Sequence, residues 1–140
     1  MLRELTFFIC GGDLRQINLA QQLLLDGYKV IGYGFETTPQ WVNEQAGSLD
    51  DIADADYLVL PLPCLVDDEY INAPFANDKI KIKDVLSKIR DKQIAFCGKI
   101  PANVRVLADE YKVHIEDYFE REELAVMNAV PTYESKEQSR

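Results

Sequence analysis

Five short apolar runs, set apart by helix-length stretches, constrain this chain more than any other feature. The first, Thr6 to Cys10, is rich in Phe and Ile and stops at Gly11-Gly12. Its length and its glycine stop fit a strand buried on both faces. Tyr28 to Tyr33, Tyr57 to Leu60, Gln93 to Cys97 and Lys112 to Ile115 follow as further strands. Pro61 and Pro63 stop the third, and Gly98 stops the fourth. Strands that alternate with helices build a parallel sheet covered on both sides. Right-handed crossovers then leave few arrangements. The expected fold is α/β: a flavodoxin-like or Rossmann-like three-layer sandwich with a five-stranded parallel sheet in the order 2-1-3-4-5.

The helices are read from spacing and caps. Asp13 can cap the first, and Gln16 three residues on completes an acceptable capping box. Leu14, Ile17, Ala20 and Leu24 then share one face, widened by Leu23, and Gly27 suits a left-handed stop. Further helices are expected over Lys81 to Arg90, from Pro101 to about Glu110, and over Glu120 to Val130. Ile82, Val85, Leu86 and Ile89 should face inward from the first of these. Gly34 to Gly47 is looser, with a short helix expected around Trp41 to Gln45. Cys64 to Asn77 reads as a long loop carrying Asp67, Asp68 and Glu69. Residues 1–134 read as one domain and 135–140 as a polar tail.

Charge narrows the partners. Fifteen basic against 24 acidic residues leave a formal charge of −9. That disfavours nucleic acid and anionic membrane, which need clustered Lys and Arg. No apolar stretch is long enough to span a bilayer, and the expected compartment is the cytoplasm. Cys10, Cys64 and Cys97 are widely spaced, with no CxxC and a lone histidine, His114. That excludes an obvious zinc site or disulfide framework and favours reduced, buried thiols. The three thiols also fall at the ends of neighbouring strands, where they could cluster.

Chemistry concentrates where strands end. Gly11-Gly12-Asp13-Leu14-Arg15 opens the first helix, where free N–H groups and Arg15 could hold an anion. It also reads as a plain strand-to-helix turn. It is not GxGxxG, so a dinucleotide fingerprint is absent, although Glu36 follows the second strand where an acid could hold a ribose. Lys99, in Cys97-Gly98-Lys99-Ile100-Pro101, stands on the same carboxyl edge as Asp13 and Arg15. It suits a carboxylate or phosphate, or is a solvated loop lysine. Asn128, Thr132 and Glu134 surround Pro131 as a polar ligand edge or as a cap and turn. His114 reads as a structural histidine within the fifth strand.

Gly11-Gly12-Asp13 followed by Arg15-Gln16 resembles the GGDxRQ opening of the dipicolinate synthase A-subunit family. Phe119 to Glu134, FEREELAVMNAVPTYE, resembles the FER and NxxPTxE pattern that ends its N-terminal domain. Leu60 to Pro63 (LPLP) and Cys97 to Ile100 (CGKI) fit in register between them. The resemblance covers essentially the whole chain. It implies the N-terminal, substrate-side domain of an oxidoreductase of spore formation, which converts dihydrodipicolinate to dipicolinate. It further implies a small dicarboxylate substrate, and the dipicolinate synthase B subunit for a partner. NAD(P) is then expected in a second domain, with no cofactor bound by this chain alone and no activity from it alone. On that basis Gly12, Asp13, Arg15, Lys99, Asn128, Thr132 and Glu134 are the expected substrate-binding residues, with Arg15 and Lys99 on carboxylates. The family pattern has Gly after the PTxE glutamate, where this chain has Ser135. A stand-alone small-molecule or regulatory module is the alternative, and self-association is left open. A phospho-receiver domain fits poorly, because the third strand is followed by Pro-Leu-Pro-Cys rather than a phosphorylatable Asp.

Overall fold

The computed structural model describes residues 5–117. Strand β1 (Thr6–Cys10) is buried along its whole length. Being central, it pairs in parallel with β2 (Lys29–Tyr33) on one side and β4 (Tyr57–Val59) on the other. Beyond β4 lie β5 (Ile94–Cys97) and β6 (His114–Asp117), again parallel. The expected order is therefore present. A sixth strand, β3 (Glu44–Gln45), extends the β2 edge and gives the order β3-β2-β1-β4-β5-β6.

β3 replaces the short helix expected around Trp41 to Gln45. The Trp41 indole stacks on Phe35 with ring centroids 4.4 Å apart, and its Nε1 donates to the Glu44 carbonyl at 3.2 Å. Ala46 N–H donates to the Gly32 carbonyl at 2.8 Å. These contacts hold the segment extended beside β2, against its weak local preference.

Alternation along β1 divides the core between the two sheet faces. Phe7 and Ile9 pack with Ile17, Ala20 and Leu23 of α1 (Leu14–Leu25). Phe8 and Cys10 pack on the other face with Ile82, Val85 and Leu86 of α2 (Ile82–Leu86) and Val104 of α3 (Ala102–Tyr111). Each fully buried Phe, Ile or Leu contributes ~1.5–3 kcal/mol of transfer free energy. The buried face of α1 is Gln16, Ile17, Ala20 and Leu23, whereas Leu14 and Leu24 are exposed. The expected stripe is thus turned, because a glutamine takes an inward place.

Two element ends also differ. α2 stops at Leu86 rather than Arg90, because the Arg90 N–H is taken by Gln93 Oε1 at 2.7 Å. Ile89 remains buried. Lys112 turns left-handed at φ 58° and closes α3, so the last described strand starts at His114 instead of Lys112. His114 is exposed on that edge strand, with Nε2 2.6 Å from Glu116 Oε2. No described helix is long and apolar enough to cross a membrane.

Candidate functional site

In a sheet of this order, ligands gather at the carboxyl ends of the strands, at the switch point between β1 and β4. The turn after β1 is tight. Gly11 N–H donates to the Tyr33 carbonyl at 2.8 Å, and Gly12 N–H donates to the Asn72 carbonyl at 2.9 Å. Gly12 has φ 107°, and a Cβ there would stand 2.1 Å from Gln16 Cγ. Both the backbone and the neighbouring side chain therefore require glycine.

Asp13 caps α1 by accepting the Arg15 N–H on Oδ1 at 2.9 Å. Its other oxygen takes Arg15 Nη2 at 3.1 Å. The Arg15 hydrogen bond holds the Asp13 carboxyl below its ordinary value, against an opposing effect of burial. The same Nη2 donates to the Leu62 carbonyl at 3.0 Å. Arg15 thus reaches across the switch point, from the start of α1 to the turn after β4.

Lys99 stands on the other side of that turn. It is left-handed at φ 52°, an uncommon conformation for a non-glycine residue. Asp117 of β6 stabilises it: Oδ1 accepts the Lys99 N–H at 3.2 Å and Oδ2 the Ile100 N–H at 3.1 Å. Lys99 borders a cleft of about 340 Å³ together with Leu62, Pro63, Cys64, Asp68 and Asn103. Asn103 Nδ2 donates to the Asp68 carbonyl at 2.9 Å, which closes one wall. Leu62 is the common neighbour: its carbonyl holds Arg15, and its residue lines the Lys99 cleft.

The expected long loop after β4 is an ordered flap. Antiparallel bridges join Leu65 to Ile71 and Tyr70 to Lys81. Asp67 Oδ1 accepts the Glu69 and Tyr70 N–H groups, each at 2.8 Å, and these bonds lower its pKa. From there the flap crosses the ends of β1 and β2. Phe75 O accepts the Thr37 N–H at 2.9 Å, and Glu36 Oε1 accepts the Asn77 N–H at 3.1 Å. The flap thus engages the Gly12 amide and one oxygen of the Glu36 carboxylate.

Among the expected site residues, the structure brings Arg15 and Lys99 to opposite sides of one turn, with Asp13 tied to Arg15. Gly12 N–H faces Asn72 instead. Asn128, Thr132 and Glu134, with the helix expected over Glu120 to Val130, lie outside the described residues. Leu62, Asn72 and Asp117 were not expected. Two of them act through backbone carbonyls, which no residue type announces, and Asp117 falls two residues past the expected strand end.

All three cysteines are buried. Burial pushes the Cys10 thiol up to about 12. Cys97 is also raised, first by its interaction with Cys64 and then by burial, and its Sγ lies 3.8 Å from the Gly98 carbonyl. No cluster of metal-ligating side chains exists among the described residues.

Known proteins match this architecture. The dipicolinate synthase A subunit of Bacillus subtilis (strain 168) is 25% identical over 138 residues, covering 96% of this chain and 46% of that protein. The crystal structure of the dipicolinate synthase A chain from Bacillus subtilis superposes with a TM-score of 0.74 at 24% identity, covering 94% of this chain and 46% of that one. The A-subunit structure from Bacillus halodurans gives the same TM-score of 0.74 at 20% identity, with coverage of 94% and 46%. The chain thus spans about half the length of these relatives. The family model of the N-terminal domain of the dipicolinate synthase A subunit matches residues 6–119, and the chain belongs to that family.

Proposed function

We propose that this chain is the substrate-side domain of an oxidoreductase like the dipicolinate synthase A subunit, acting in spore formation on dihydrodipicolinate. The single observation that carries this reading is the placement of Arg15 and Lys99 on the two sides of the Leu62-Pro63 turn. Their parent strands, β1 and β5, are separated only by β4. Two strand spacings are roughly 10 Å, a gap that two long cationic side chains can close upon a small dicarboxylate. Charge-assisted bonds from Arg and Lys suit carboxylate oxygens. The flap across β1 and β2 supports assigning NAD(P) to a second domain. The B subunit of dipicolinate synthase is the partner this reading implies.

The test is a titration of the 15N-labelled chain with pyridine-2,6-dicarboxylate. Amide shifts centred on Arg15, Leu62 and Lys99 are expected, with pyridine-2-carboxylate binding more weakly. Absence of shifts there at millimolar ligand overturns the reading.

A further inference from the structure

Gln16 does something that the fold does not need. It sits three residues after the cap Asp13, where its side chain could return to the Asp13 N–H. Among the described residues no such bond forms, and Asp13 caps through its own carboxylate. The Gln16 side chain turns inward instead and folds along Gly12, in the space that a Cβ there would fill. It is 94% buried (6% exposed) at the amino end of the 12-residue helix α1. Its Nε2 has no hydrogen-bond partner, the one buried side-chain polar atom left so among the described residues. An unpaired buried donor costs stability that an apolar side chain of similar length would not.

Position gives this donor a use. The next residue back is Arg15, whose guanidinium crosses the switch point to Leu62. A helix start favours negative charge. We propose that Gln16 is a substrate-binding residue: its Nε2 donates to the ligand carboxylate that Arg15 holds. This rests on the dicarboxylate reading above. Arg15 supplies charge and Gln16 supplies direction, so one carboxylate is fixed in orientation as well as in place. The Gln16–Gly12 contact positions the carboxamide, which ties the glycine to recognition as well as to the turn.

The experiment uses this chain with pyridine-2,6-dicarboxylate as the probe. In the wild-type protein the Gln16 side-chain NH2 signals should shift with the same midpoint as the Arg15 amide. Gln16→Met should melt at or above the wild-type temperature without ligand, by up to ~3 °C, and should bind at least ~10-fold more weakly. Gln16→Glu should bind more weakly still, because it sets a second anion against the ligand. A Gln16→Met protein that melts several degrees lower overturns the proposal, since the carboxamide would then be structural. Binding that Arg15→Gln abolishes and Gln16→Met leaves unchanged overturns the role of Gln16 alone. No binding by the wild-type chain overturns the dicarboxylate reading itself.

Discussion

The Trp41 ring lies against Gly32 so closely that a Cβ on Gly32 would stand 2.2 Å from Trp41 Cζ2. The indole is also stacked on Phe35 and held at its nitrogen by the Glu44 carbonyl, so it has little room to retreat. Gly32→Ala is therefore expected to cost ~1–3 kcal/mol by overpacking. Urea unfolding of Gly32→Ala, Trp41→Ala and the double variant should show non-additive losses. Simple additivity would mean that the two residues do not constrain each other.

Gln93 is the polar counterpart of that contact. Its buried carboxamide donates to the Ile52 and Ala55 carbonyls at 2.6 and 2.8 Å and accepts the Arg90 N–H. It joins the 3-10 helix Leu49–Asp54 to the turn that follows α2. Gln93→Leu removes three bonds, two of them buried. A loss of about 3 kcal/mol or more is expected, read as a lower urea midpoint. A loss under ~1 kcal/mol would show that water replaces the side chain.

Arg15 should matter for binding and little for stability. Its ion pair with Asp13 is exposed, at 66% and 39% side-chain accessibility, and such pairs contribute ~0–1 kcal/mol. Arg15→Gln is expected to unfold within ~1 kcal/mol of wild type while binding of pyridine-2,6-dicarboxylate falls at least ~10-fold. Lys99→Gln should show the same split. Equal loss of stability and affinity would make both residues structural.

Alkaline pH should weaken the fold through the buried thiols. Cys10 is pushed up to about 12, and Cys97 is also raised. An unfolded thiol ionises near ~8.5. Above that value the unfolded chain holds fewer protons than the folded one, so stability falls as pH rises. The loss begins near pH ~8.5 and continues toward the folded value. Between pH ~8.5 and ~10 the urea midpoint should decline, and less steeply in Cys10→Ala. At the acid end the sign reverses for Asp13, whose pKa is lowered by Arg15. Its small contribution is present above ~4 and fades as pH falls through the folded value.

Much of this was legible in the sequence because burial writes itself in apolar runs. Thr6 to Cys10 and Tyr57 to Leu60 announce their strands, and the glycines and prolines behind them announce the edge where ligands gather. β3 was not legible, since Glu44 and Gln45 are exposed and polar and owe their conformation to Trp41. The α1 period was legible, but its phase was not, because Gln16 lies inside while Leu14 lies outside. Arg15 and Lys99 could be placed from strand ends alone. Their common neighbour Leu62 could not, because a carbonyl acceptor carries no side-chain signature.

The flap also joins amides that are remote in sequence. Gly12 donates into it at Asn72, Thr37 donates into it at Phe75, and Asn77 donates from it to Glu36. None of these three protons can exchange with solvent until its own flap contact breaks. If the segment lifts as one piece, their deuterium uptake keeps common time, and a single slow rate measured at Gly12 describes the unsealing of both strand ends.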